Sequence, residues 1–261
     1  MIRLRHLLAI LVATVCSAAS AEQSPNERVI AALSQNAVGI TADFTGSEIF
    51  VFGAIGRDRF PDARDDNLNV IVTVSGPKER VTIRKKSREL GIWINTQSVE
   101  IDEAPSFYAV ATTGPLDEIL SDTDDLRYRI SVDRAVRLVG EAGNVDRPED
   151  FREAVIRLNR ASGVYFENIG DIEMIERTLF NTHFELPSNI VEGDYVARVY
   201  LLRNRAVVDM FATAIEVRKV GIERWIYSLA HERAEIYGLL SILVALLAGW
   251  GASEAFRLLR R

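Results

Sequence analysis

With 31 Lys and Arg set against 37 Asp and Glu, the 261-residue chain has a formal net charge of −6. So acidic a chain is not expected to bind nucleic acid, whose phosphates are held by concentrated positive charge. Its single cysteine, Cys16, leaves no pair for an intramolecular disulfide.

Arg3, Arg5 and His6 precede an apolar run from Leu7 to Val15 and then Ser17-Ala18-Ala19-Ser20-Ala21, the charge, core and small-residue cleavage pattern of a secretory leader. Cleavage after Ala21 removes Cys16, and with it any thiol catalysis. A lipoprotein leader would need a small residue before that cysteine, where Val15 stands. Loss of Arg3 and Arg5 leaves 29 basic against 37 acidic residues, formally −8. What remains before the C-terminal apolar run is enough for one large or two small domains.

From Val38 to Thr112 the pattern is that of short strands. Val38, Ile40, Ala42 and Phe44 alternate with polar or small residues, Gly46-Ser47 offers a turn, and Ile49 to Ile55 is apolar on both faces. Asp58 to Asn67, rich in Asp and Arg, predicts a surface loop. Val70, Val72 and Val74 alternate next, Gly76-Pro77 marks a turn, and a strand begins at Val81. Ile92 to Ile94, Ser98 to Ile101 and Phe107 to Thr112 bring the total to about seven strands, at the spacing of an Ig-like β-sandwich.

Pro115 to Ser121 and Asp122 to Arg129 read as short helical turns. A longer helix starts at Pro148, where a missing N–H costs nothing, and closes at Gly163. Its apolar stripe is Phe151, Ala154, Val155, Leu158 and Ala161. Strands return at Val164 to Phe166, Asp171 to Ile175, Arg177 to Leu186, Tyr195 to Leu202 and Ala206 to Lys219. These form a second β module or the other half of one larger sandwich. Ile222, Trp225, Ile226 and Leu229 then recur at helical spacing. They predict the start of one continuous helix, since no Gly or Pro intervenes before Tyr237, with an interfacial helix as the other reading.

Ile236 to Ala252 carries no charge over about 17 residues, close to the minimum that crosses roughly 30 Å of hydrocarbon. Arg257, Arg260 and Arg261 follow it and place the C-terminus in the cytoplasm. Trp225, Tyr227 and Tyr237 on one side and Trp250 on the other fit the aromatic belts of the two interfaces. The boundaries are therefore a leader over 1–21, a β-sandwich domain over 22–114, a helical insert over 115–162 and a second β module over 163–220. A juxtamembrane helix over 221–235 and a transmembrane helix over 236–259 complete the chain.

Catalytic equipment is sparse. His183 and His231 are the histidines beyond the leader, and His231-Glu232 lacks the second histidine, four residues on, of a zinc-protease helix. Asp62, Asp65, Asp66 and Asn67 lack the spacing of a calcium loop. Neither G-x-S-x-G nor G-x-G-x-x-G occurs, so no esterase elbow or dinucleotide cradle is predicted. No cofactor or metal is expected. Against this background Arg80, Arg84, Lys85, Lys86 and Arg88 stand out. Alternation puts Arg80, Arg84 and Lys86 on one strand face, suited to an anion or a lipid headgroup, or else to solubility and edge protection. Trp93 and Asn95 on the next strand, with Phe107 and Tyr108, are candidates to line a neighbouring groove, although a Trp in such a sandwich is commonly core.

Asp43-Phe44-Thr45-Gly46, Gly91-Ile92-Trp93-Ile94-Asn95-Thr96, Pro105-Ser106-Phe107-Tyr108-Ala109 and Val217-Arg218-Lys219-Val220-Gly221 resemble the alphaproteobacterial transmembrane protein family Alph_Pro_TM. The likeness runs over nearly all of the mature chain. It carries no catalytic residue with it. It implies the bacterial inner membrane with the β region in the periplasm, and its genes' frequent place beside sulfite exporters implies an accessory role at a transporter. The expected function is that of a membrane-anchored periplasmic binding or interaction protein, not an enzyme, with the lipid bilayer and an inner-membrane transporter as partners. The alternatives are a periplasmic hydrolase using carboxylates such as Glu48, Asp43 or Asp117, and a structural envelope protein.

Overall fold

The computed structural model describes residues 27–41, 43–57, 68–137 and 147–259. The predicted leader, the Asp58 to Asn67 segment, Arg260, Arg261 and the side chains of Trp225 and Arg257 lie outside what is described. In chain order, β1 (Arg28–Leu33), β2 (Ala37–Ile40), β3 (Gly46–Gly56), β4 (Leu68–Ser75), β5 (Lys78–Glu89), β6 (Ile92–Pro105) and β7 (Tyr108–Thr112) come first. Helices α1 (Leu116–Ile119), α2 (Asp122–Tyr128), α3 (Val132–Ala135) and α4 (Pro148–Ala161) follow. Then come β8 (Tyr165–Ile169), β9 (Glu173–Ile175), β10 (Leu179–Pro187), β11 (Gly193–Arg203) and β12 (Ala206–Lys219), and finally α5 (Ile222–Glu232) and α6 (Ala234–Leu259).

The strands form a four-stranded sheet, β1-β3-β10-β9, a six-stranded sheet, β2-β12-β11-β4-β7-β8, and the hairpin β5-β6. Segments 22–114 and 163–220 therefore share both sheets: β3 lies between β1 and β10, and β4 between β11 and β7. The reason is visible in β4, where Val70 to Val74 is buried without interruption. A strand apolar on both faces needs a partner along each edge and a layer over each face. On one face Tyr108 donates its hydroxyl to the carbonyls of Arg129 and Ile130 at 2.9 Å, and Tyr200 packs edge-on against Tyr128. This is the face the helical insert covers. On the other, the Asp209 carboxylate of β12 accepts the Val29 N–H of β1 at 2.7 Å, which ties the four-stranded sheet down.

Several details depart from the sequence expectations. Ile92 to Ile94 and Ser98 to Ile101 are one strand, because a bulge absorbs the polar stretch between them: Lys85 faces Gln97 and Lys86 faces Asn95, leaving Thr96 as the extra residue. Gly46-Ser47 opens β3 and pairs with Pro187 and Leu186. In α4, Phe151, Val155 and Ile156 are buried while Leu158 is exposed, so the buried stripe is turned from the predicted one. The continuous helix predicted from Ile222 is broken at Arg233, whose φ of −137° is not helical. The amides of Ile236 and Tyr237 bond to the Arg233 carbonyl and start α6 afresh. The break separates the amphipathic α5 from a helix apolar on all sides.

Gly53, in the middle of β3, has no room for a side chain. A Cβ there would sit 2.5 Å from both the Ile30 carbonyl oxygen and the Phe180 ring. Gly53→Ala is expected to cost about 1–3 kcal/mol by overpacking, read as a lower midpoint in chemical denaturation of the detergent-solubilised protein. The tyrosines supply a second test. Burial pushes the Tyr108, Tyr165, Tyr195 and Tyr200 phenols above their ordinary 10.0. Their folded-state pKa is raised, so this contribution is complete below about pH 10 and is lost as pH climbs toward the folded value. Tyrosinate absorbance should appear together with loss of the β circular dichroism signal, and titration of these phenols in an intact fold would contradict the burial.

Candidate functional site

The hairpin β5-β6 gathers most of the residues singled out from the sequence. Opposite partners on an antiparallel ladder share a face, and the pairs Arg84↔Ser98, Lys86↔Asn95 and Arg88↔Trp93 thus set Arg84, Lys86, Arg88, Trp93 and Asn95 together. The other face carries Val81↔Ile101 and Ile83↔Val99, then Ser87↔Ile94 and Glu89↔Ile92. Near the base that second face is covered, Val99 and Ile101 being buried. Midway, Ile83, Arg84 and Lys85 line a cleft with Asp150, Phe151, Glu153 and Ala154 of α4. Beyond it Ile92, Trp93 and Ile94 are exposed.

Arg80 shares the sequence face but not the electrostatic situation. Its guanidinium lies 3.1 Å from Glu100 and 3.8 Å from Asp102. At the foot of the hairpin Lys78 donates to Glu103 at 2.8 Å, and that hydrogen bond, with the charges of Lys78, Arg137 and Arg129, holds the Glu103 carboxyl below its ordinary value. Among the described residues no carboxylate stands within ion-pair distance of Arg84, Lys85, Lys86 or Arg88. Tyr108 does not belong to this surface. It is buried beneath the helical insert, as is Phe107 within the core, because β7 is covered on both faces. Trp93 goes the other way: 68% exposed, it is no core residue.

The carboxylates considered for hydrolysis are not brought together. Glu48 lies on a cleft of about 660 Å³ at one end of the β3-β10 pair, which neither Asp43 nor Asp117 lines. Asp43 is exposed, and a hydrogen bond from Thr41 holds its carboxyl below the ordinary value. The neighbours of Glu48 are Glu185, directly opposite on β10, and His183. Sequence reading had no means to join positions so far apart, since no local signal records which strands pair. Among the described residues no group of three or more His, Cys, Asp or Glu is placed to hold a metal ion.

Stacked sheets with a helical insert, followed by an apolar helix of membrane-spanning length, define the class of the protein. Ala234–Ser253 has a mean hydropathy of 1.8 and none of it is buried. The chain belongs to the family described as "Putative transmembrane protein (Alph_Pro_TM)", whose model matches residues 28–258. No curated protein matches it.

Like charges directly opposite on a ladder repel. Glu185→Gln is therefore expected to stabilise the fold by about 0.2–1 kcal/mol if the cleft holds water alone. A loss of stability in thermal denaturation would mean that the paired carboxylates hold a cation or a positively charged ligand.

Proposed function

We propose that this is a membrane-anchored interaction protein, with its β body in the periplasm and α6 fixed in the inner membrane with a cytoplasmic C-terminus. The observation that carries the reading is the hairpin: cations without ion-pair partners among the described residues and an exposed Trp93 are held away from the core of an acidic chain. Such a surface is costly to maintain without a partner, since large apolar side chains left in water forgo the gain of burial. The leader pattern and Arg257, Arg260 and Arg261 support the orientation. Tethering by a single helix keeps the hairpin among membrane components, where a transporter of the sulfite-exporter type is the partner suggested by the family resemblance. Hydrolysis is a second reading, supported by the cleft that Glu48 shares with Glu185 and His183.

Protease added to intact spheroplasts should digest the chain between Glu22 and Arg233 and leave a membrane-protected fragment containing Ile236 to Ala252. Protection of the β body until lysis would reverse the topology. Co-purification from gently solubilised membranes should recover the transporter with the wild-type chain and lose it when Arg84 and Lys86 are both changed to Glu. Equal recovery would remove the hairpin from that contact.

A further inference from the structure

β4, which runs on into the hairpin, and β12, which runs on toward the membrane anchor, end at the same end of the six-stranded sheet. β4 and β12 both run antiparallel to β11, Val196 pairing with Ser75 on one side and Ala214 on the other. At this end Gly193 faces Val217, close to where β12 gives way to α5, and lies against Pro77 at the foot of the hairpin, with no room between for a Cβ. The hairpin is moreover a continuation of the β4-β7 pair. Ser75 faces Tyr108 and Lys78 faces Pro105 in one unbroken register, and Gly76 N–H to Phe107 O and Ser106 N–H to Pro77 O close the gap.

Lengths then matter. β5 has 12 residues, a reach of about 40 Å. Between Lys219 and the start of α6 stands chiefly α5, whose 11 residues span about 16 Å. A ribbon longer than the connector and starting from the same end is long enough for its tip to reach the bilayer that α6 crosses.

The tip is built for that surface. Leu90 is fully exposed, Ile92 is 65% exposed, and Trp93 and Ile94 join them. Arg84, Lys85, Lys86 and Arg88 form a collar behind, with Glu89 as the acid among them. Leu90 (φ 49°) and Gly91 (φ 90°) make the two-residue connection. Both residues of such a turn take positive φ, where Asn, Asp or Gly is favoured and a bulky apolar residue is out of place. The chain thus puts its most exposed leucine where the backbone least favours one, and strain of that kind accumulates at functional positions.

We propose that the tip Leu90 to Ile94 inserts into the interface of an anionic bilayer, the cationic collar lying on phospholipid headgroups, as a second membrane contact beside α6. Trp at headgroup depth, aliphatic residues below it and Lys or Arg above is the arrangement that interfacial anchors share. The proposal rests on α6 spanning the bilayer, as in the preceding section. Were the protease experiment to fail while the tip contact persisted, the body would change sides without losing it.

The test uses the full chain with Trp225→Phe and Trp250→Phe, leaving Trp93 as reporter, reconstituted into bilayers of phosphatidylcholine alone or mixed with phosphatidylglycerol. In anionic bilayers Trp93 emission should shift to the blue and be quenched by brominated acyl chains. Lys85→Glu, Lys86→Glu and Arg88→Glu together should lower the inserted-to-free ratio of the tip at least about tenfold, and added salt should act in the same sense. Leu90→Asn suits the turn better and leaves the hairpin folded, yet should lower the ratio about threefold or more, in line with the apolar area it removes. Water-like Trp93 emission in anionic bilayers overturns the proposal. So does a blue shift that is equal in neutral bilayers and indifferent to charge reversal, which would assign the tip to a contact with a second copy of the chain. Quenching unchanged by Leu90→Asn would overturn insertion of the apolar tip.

Discussion

The architecture depends on β11 being paired along both edges. Its ladder to β4 runs from Val196↔Ser75 to Arg203↔Leu68, and its ladder to β12 from Gly193↔Val217 to Arg203↔Ala206. Ala197, Val199, Tyr200, Leu201 and Leu202 are all buried, so a slip of one residue would exchange the layers that each side chain faces. Fixing this register fixes the direction of two chain segments that share no sequence neighbourhood. One is the ribbon that continues β4 and β7, and the other is the path from β12 into α5 and α6. That the hairpin and the strand leading to the anchor leave the sheet at one end is therefore set by the core of the domain.

The junction of the two sheets adds specificity. Glu27, at the threshold of β1, is gripped by Arg203 of β11 at 2.6 and 2.9 Å, and Arg57 approaches it at 3.4 Å. Buried ion pairs recover little net energy after desolvation, but an unpaired member would be severely penalised. Together with the Val29 N–H to Asp209 bond, the cluster selects one seating of the smaller sheet on the larger. Apolar contact between Val51, Ile55, Phe180 and the facing valines would tolerate several.

Much of this was legible wherever period and punctuation act locally. The alternation of Tyr195, Ala197, Val199 and Leu201 gave β11, and Pro148 with Gly163 bounded α4. The uncharged run from Ile236 gave α6, and the alternation from Arg80 to Arg88 put Arg84 and Lys86 on one face. What escaped was non-local or depended on a single residue's backbone. The bulge at Thr96 turned two short strands into one long strand, and the non-helical Arg233 split one predicted helix without Gly or Pro. Strand pairing brought Glu185 opposite Glu48, and the helical insert closed over Tyr108. Trp93, which the sequence reading allowed either at a surface groove or in the core, is exposed because a hairpin that outruns its sheet has no layer left to cover it.

That last point bears on why the hairpin is as long as it is. A two-stranded ribbon is marginally stable in water unless it packs against something. Val99 and Ile101 are buried and the half-buried Ile83 packs against the core, which secures the ribbon as far as Lys85. Past that point its own resources are the ladder, the Ser87 to Thr96 hydroxyl bond at 3.2 Å, long bonds at 3.4 Å from Arg88 to the Gly91 carbonyl and from Thr96 to the Lys85 carbonyl, and a turn strained at Leu90. A shorter hairpin closed by a favoured turn would satisfy the same core at lower cost. The added length carries positive charge and apolar bulk away from an acidic body, along the line on which β12 delivers the chain to its anchor. Its stabilising partner therefore has to be sought outside the fold, at the end from which both extensions leave.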